Sequence, residues 1–453
     1  DAKLIEIKKN TRKPRYLETL IEKFFLENNH RVTFQLIPDK NFNKIKSDKE
    51  ASYCSNKLKS LNKRNKKEIS NNTKALEKRQ STVDNVNILP CVTVRDISKN
   101  LSLPKFSISK ENEVLKYHYK TGTNGIDYNR TLYSIENSTI EDLKLFSLMN
   151  TIVNNVGIKK LSYEEVALKR SEITGGFNFS LMIQNINNKT NLFANIIGDC
   201  LEQNFDQMRN HIKDTICHFR LDEETRIKEK IEEYVSYIEN SVGEYGNYFA
   251  ITSAVSQMTL NGKISDLTEG MTTIKYSKSL RNKKREVELD KVLEKLINLK
   301  NKINVEPIAE LTVSAKENQN ILKKTSKTNI EIPNSISGIE LNKDEPAWLI
   351  ETDVNYCALA YPSVDYTHPD APALGVLATI LTNRLHSEVR EKGGAYGVNA
   401  YVDNESKTFN FSSYRDPNIQ KTFDAFHKSI TWSLKSLTKD YLEEGILGVI
   451  RGL

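Results

Sequence analysis

Residues 389–400 read VREKGGAYGVNA and place a guanidinium, Arg390, and a phenol, Tyr396, six positions apart around the pair Gly393-Gly394. Two hydrogen-bond donors beside each other at a strand edge can bind a peptide carbonyl, and bind it more strongly as that oxygen becomes an oxyanion. The glycines would let this backbone approach another chain closely. In the strand expected to follow, Tyr396, Val398, Ala400 and Val402 share one face, and Gly397, Asn399 and Tyr401 the other. The same residues also read as local structure. Arg390 can be a last-turn cation complementing a helix dipole, and Tyr396 a half-buried strand aromatic. Both readings are open at this point.

No other constellation competes for chemistry. The seven histidines form neither H-x-x-E-H nor its reverse H-E-x-x-H. His211 and His218 share roughly one face of a helical pattern without a neighbouring ligand set, and the adjacent Cys217 and His218 face different sides. The five cysteines are scattered, with no C-x-x-C, which fits a reducing compartment and gives no zinc cage. Thr174-Gly175-Gly176 lacks the spacing of a phosphate loop and reads as a turn.

The elements that must position Arg390 and Tyr396 follow from periodicity. A helix from Pro369 to about Arg390 ends where Gly393-Gly394 permits a left-handed cap, and a hairpin follows over 395–416. Helical patterns over 417–435 and 438–451 close the chain. Earlier, 138–156 and 162–173 read as helices, and FNFSLMIQN as a strand after the first Gly-Gly. Thus 138–190 and 369–416 share an order of helix, Gly-Gly, strand, turn, strand, and Asn178 falls at the place of Tyr396. Residues 195–303 are mostly helical by period. Strands are expected over 30–39, 89–97 and 346–364, with a hairpin over 115–136 around Asn124-Gly125. Residues 40–88 read as a hairpin of polar helices. The formal charge of +7, from 66 basic and 59 acidic side chains, is concentrated in 56–70 and 276–291. Both runs carry apolar residues at helical spacing and read as solvated helix faces rather than nucleic-acid sites. No stretch approaches the roughly 18 apolar residues of a membrane span.

Four blocks, TNGIDYN (123–129), SYEEVALKRSEITGGFNFS (162–180), LHSEVREKGGAYGVNAYVD (385–403) and FSSYRDPNIQKTFDAF (411–426), resemble one family. It is the pitrilysin/insulinase-type zinc metallopeptidases, in the presequence-protease/falcilysin subfamily. The opening RYLETLIEKFFLENNHRVTFQLIPD is similar to the end of that family's second domain. The resemblance implies an α+β protein of two related domains, each a mainly antiparallel sheet with helices on one face, preceded by a helical hinge. On it, 1–39 ends a preceding domain, 40–88 is the hinge, 89–330 the third domain and 331–453 a shortened fourth.

It further implies a Zn ion held by an N-terminal half outside this chain, where a glutamate activates the metal-bound water. Tyr396 would then stabilise the tetrahedral intermediate, Arg390 would fix the substrate, and Gly393 and Gly394 would line the peptide. The expected partners are that N-terminal half and unstructured peptides, with no nucleic acid and no membrane. The expected compartment is intracellular, cytoplasm or organelle lumen, and the chain alone should be inactive. A non-catalytic scaffold paralogue and a basic nucleic-acid-binding protein are the alternatives.

Overall fold

The computed structural model describes residues 2–82, 92–100, 104–186, 189–281, 287–316, 336, 339–341 and 347–452. The chain divides into two compact units, 1–91 and 92–453. Cys91, part of the basic run 276–291 and the boundary expected at 330/331 lie outside the described residues.

The first unit is helical. Helices α1 (Ala2–Thr11) and α2 (Tyr16–Ile21), the latter running into a π-helical turn at Glu22–Leu26, precede α3 (Phe42–Ser60) and α4 (Lys63–Ser81). Asn62 separates the last two and caps α4, its side-chain oxygen accepting the Asn65 N–H at 2.8 Å. The basic run 56–70 lies on these two helices, almost wholly exposed. The strand expected over 30–39 is not formed. Val32, Phe34 and Leu36 alternate as a strand would, but all three are exposed and no described strand pairs with them. Alternation specifies a face to bury, whereas a strand also needs a neighbour for its backbone groups.

The described residues of the second unit form two sheets. Strands β1 (Phe106–Glu111), β2 (Val114–Lys120) and β3 (Ile126–Ile135) are followed by helices α5 (Ile140–Lys144), α6 (Phe146–Val153) and α7 (Tyr163–Ile173). Next come β4 (Gly176–Ile186), β5 (Lys189–Leu201) and a run of helices: α8 (Phe205–His218), α9 (Glu224–Ser241), α10 (Gly246–Ser256), α11 (Leu260–Glu269), α12 (Met271–Ser279) and α13 (Leu289–Lys300). Strand β6 (Ala309–Ser314) completes a sheet of order β1-β2-β6-β3-β5-β4, antiparallel except for the β2–β6 pair.

The expected hairpin over 115–136 is therefore only half right. Asn124 and Gly125 do adopt positive φ, 53° and 82°, but β6 enters between the strands they connect. It pairs Tyr117 with Leu311 on one side and Arg130 with the same Leu311 on the other. An Asn-Gly turn fixes a chain reversal. Which strands pair is decided by the strand that best completes the ladder. The tight hairpin here is β1–β2, turned at Asn112 and Glu113, both at positive φ.

Helices cover the sheet on one face. Phe179, Leu192, Ala194 and Ile196 meet Leu148, Met149 and Ile152 of α6 and Met208, Ile212 and Ile216 of α8, all buried. The helix expected over 138–156 is two helices meeting at Leu145, and 195–201 belongs to β5 rather than to the helical stretch. Of the extended structure expected over 89–97, the described part holds a short 3-10 turn at Val94–Asp96, where Asp96 accepts the Thr93 N–H and hydroxyl, both at 2.8 Å.

The second sheet has the order β7-β9-β8, antiparallel throughout. Its strands are β7 (Ala358–Pro362), the only strand among the described residues of 346–364, β8 (Gly397–Asp403) and β9 (Thr408–Tyr414). Helix α14 (Ala371–Leu385) precedes β8, and α15 (Gln420–Ser436) and α16 (Lys439–Arg451) follow β9. Leu381, Leu385 and Val389, each four apart, bury against Ala400, Phe409, Phe411 and Phe426. The rings of Phe411 and Phe426 stack at 5.4 Å.

Candidate functional site

Helix α14 does not stop at Leu385 but widens into a π-helical turn, His386–Glu391. Burial of Val389, 2% exposed, pins this turn to the core and leaves Arg390 on the open side. The turn closes through a loosened form of the glycine cap. The Lys392 N–H bonds the Ser387 carbonyl at 3.1 Å, Gly394 that of Arg390 at 2.9 Å, and Ala395 that of Val389 at 3.1 Å. Gly394 sits at φ +82°, and a Cβ on Gly393 would lie 2.4 Å from the Val389 carbonyl oxygen. Each glycine thus has a local reason, one of backbone conformation and one of close approach.

Tyr396 leaves this cap as β8 begins. Its N–H is shared between the carbonyls of Tyr414, at 3.1 Å, and Arg415, at 3.3 Å. Its ring stands edge-on to Tyr414, centroids 5.8 Å apart, and is 68% exposed. The Arg390 guanidinium carbon lies 5.9 Å from the Tyr396 ring centre. The structure thus brings the two predicted side chains together, both open to solvent. Gly393 and Gly394 contribute backbone only, and the Gly393 carbonyl is taken by the Asn418 amide at 2.7 Å.

Several neighbours were not predicted. Arg390 Nη1 is 3.1 Å from His386 Nε2, and His386 Nδ1 is 3.5 Å from Glu391 Oε1. A guanidinium only donates, so Nε2 accepts and the ring proton sits on Nδ1, facing the carboxylate. The signal for His386 was its spacing, four residues before Arg390 on one helix. Beside them Glu388 is held below the usual carboxylate range by its bond with Lys392 and by the charge of Arg384. Tyr414 and Arg415 belong to the SSYRDPN block, where residue types alone gave them no role.

The equivalence of Asn178 and Tyr396 does not hold. The first ladder pairs are Gly176 with Asp199 and Gly397 with Tyr414, so Asn178 matches Asn399. A bridging side chain confirms the register. Asn154 bonds both the N–H and the carbonyl of Phe179, as the Thr382 hydroxyl does for Ala400. Counting from the first ladder pair puts Gly175 opposite Tyr396. The first sheet has no side chain where the second has the phenol.

The remaining candidates stay apart. His211 is buried against Arg170, whereas His218 ends α8 exposed. Burial pushes the Cys217 thiol up, away from thiolate character. Among the described residues no three His, Cys, Asp or Glu side chains converge as a metal site.

Residues 36–280 match the family of domains associated with M16 peptidases of subfamily C, and 286–448 match the family described as Peptidase M16 inactive domain. The chain is 29% identical over 451 residues to the mitochondrial presequence protease of Drosophila melanogaster, covering 97% of this chain and 44% of that protein. It is 27% identical to that of Yarrowia lipolytica, covering 93% and 44%. The chain thus spans less than half the length of these curated relatives. Among solved structures, a conserved protein from Enterococcus faecalis V583 superposes with a TM-score of 0.51 at 13% identity, covering 75% of this chain and 83% of that one. A protease from Helicobacter pylori does so at 0.50 and 13%, covering 77% and 85%. At that identity the likeness is one of fold.

Proposed function

The chain belongs to the M16 peptidase family, and from that premise we propose that it is the C-terminal half of a zinc-dependent endopeptidase acting on unstructured peptides. The observation that carries the proposal is the pairing of an exposed guanidinium and an exposed phenol, 5.9 Å apart, on a capped turn at a sheet edge. The Tyr396 hydroxyl donates to the scissile carbonyl and gains strength as negative charge develops there. Arg390, steadied by His386, holds a neighbouring substrate carbonyl or carboxylate through its planar fork. Gly393 and Gly394 let the peptide backbone pass close to the turn. On this reading 1–39, 40–88, 89–330 and 331–453 are the end of a preceding domain, the hinge, and the third and fourth domains.

Among the described residues no three His, Cys, Asp or Glu side chains gather as zinc ligands. On this reading zinc is held by the N-terminal half of the same protease, the partner of this half. The relatives are mitochondrial presequence proteases, and we propose an organelle lumen or the cytoplasm for this chain. No described helix is long and apolar enough to cross a membrane.

The test pairs this chain with the zinc-bearing half and follows cleavage of a quenched fluorogenic peptide. Tyr396→Phe and Arg390→Ala are each expected to lower kcat/KM on the order of 100-fold, with the complex intact by size-exclusion chromatography. If both variants cleave as fast as the unmutated complex, the two residues have no catalytic part and the chain is a scaffold.

A further inference from the structure

The blocks REKGGAYG and SSYRDPN are separate in sequence and joined in space by the loop 415–418. Asn418 donates its side-chain amide to the Gly393 carbonyl at 2.7 Å. Its own backbone N–H is held at 2.8 Å by one carboxylate oxygen of Asp416, whose other oxygen takes the Thr422 hydroxyl at 2.6 Å. Asp416 is fully buried, and its backbone pairs in both directions with Asn355, at 2.8 and 2.9 Å. Pro417 lies beside Gly394, and the Arg415 carbonyl takes a share of the Tyr396 N–H. Arg415 itself is held at φ 47°, a conformation that non-glycine residues keep only where their surroundings demand it.

The loop therefore grips the turn at both ends, Gly393 and Tyr396. Between those points lies Gly394, the most pliable backbone in the site. We infer that Asn418 is a positioning residue for Tyr396: fixed by buried Asp416, its amide anchors the Gly393 carbonyl and sets the direction in which the phenol leaves the sheet edge. The catalytic consequence rests on the proposed role of Tyr396, whereas the anchoring rests on this chain alone. Misplacing a reacting group by about 1 Å can cost about 100-fold in rate.

The experiment uses Asn418→Asp, nearly isosteric but without the donor, and Asn418→Ala. In the chain by itself both are expected to speed amide exchange at Gly394, Ala395 and Tyr396 by about tenfold or more, with the denaturation midpoint little changed. In complex with the zinc-bearing half, both should lower kcat by about 10–100-fold with KM within about twofold. Unchanged exchange at those three amides overturns the inference. So does an effect confined to the Asp variant, since added charge would then be the cause. An unchanged kcat overturns it too, in a complex whose kcat falls on Tyr396→Phe. If Tyr396→Phe leaves kcat untouched, it is the functional reading that fails, and amide exchange alone decides the anchoring.

Discussion

Two arginines in this chain each meet a histidine and lie over an aromatic ring, each where a helix gives way to a hairpin. Arg170, in α7, donates through Nε to His211 Nε2 at 3.0 Å and through Nη1 to the Asn154 carbonyl at 2.8 Å, with its guanidinium 4.3 Å from the centre of Phe177. Its own carbonyl accepts the Thr174 N–H at 2.8 Å, as that of Arg390 accepts Gly394 at 2.9 Å. The parts are the same; the surroundings are opposite. His211 is 2% exposed, and burial draws Arg170 down to about 10 and His211 to about 4. Arg170 Nη2 is buried with no hydrogen-bond partner among the described residues. In the second region the guanidinium and ring face water, and the ring is a phenol rather than a phenyl. Built around a buried histidine, the first trio commits its hydrogen bonds to the fold. Exposed, the second leaves donors facing solvent, as the proposed role in holding a substrate requires. A half-buried cation with one buried, idle donor also costs stability, so the first trio should respond to stability measurements and the second to kinetic ones.

The largest expected contrast is with pH. The folded chain holds His211 at about 4, below its ordinary 6.5, first through burial and then through the charge of Arg170. Between those values the unfolded chain binds the proton and the folded chain does not. Stability fully present above pH 6.5 is therefore lost as pH falls toward 4, on the order of 3 kcal/mol. Urea midpoints from about pH 7.5 to about pH 4 should show this slope, and His211→Gln should flatten it. An unchanged slope would mean that His211 is not the group responsible. Next, Arg170→Ala should destabilise by about 2 kcal/mol, through the lost bonds to His211 and Asn154 and the uncovered Phe177. The matched Arg390→Ala should stay within ~0.5 kcal/mol, and equal losses would erase the distinction between the two trios. Smaller again in reach, Gly394→Ala should cost about 1 kcal/mol for its left-handed conformation, readable as a drop in Tm. No loss would show that the cap can relax into ordinary backbone.

The legible part of this molecule was the local part. The spacing of Arg390, Gly393-Gly394 and Tyr396 announced a helix end, a left-handed cap and a hairpin because each depends on residues within a few positions. The helix read over 162–173 likewise forms, as α7, and the structure shows Ser162 and Glu165 capping each other at its start. What escaped were pairings set at a distance. Val32, Phe34 and Leu36 alternate but have no described partner strand. Asn124-Gly125 turned the chain without pairing the strands on either side. Asn178 was matched to Tyr396 by counting from glycines, whereas sheet register counts from the first ladder pair. Within the site, His386 lay within reach of helical spacing, but Asn418 acts across 25 residues on a backbone carbonyl, and no residue pattern advertises such a bond.

Strand β6 also imposes an order in time. On a chain emerging from the ribosome, β2 and β3 are made roughly 200 residues before the strand that must lie between them, on the order of 10–40 s at ~5–20 residues per second. Until β6 is made, β2 and β3 each lack the neighbour they pair with in the folded sheet, and unpaired strand edges call for protection against wrong partners. The β8–β9 hairpin that carries Tyr396 needs only its own few residues and can close within seconds of being made. The larger sheet must wait for a distant strand, and the edge proposed to bear the chemistry waits for none.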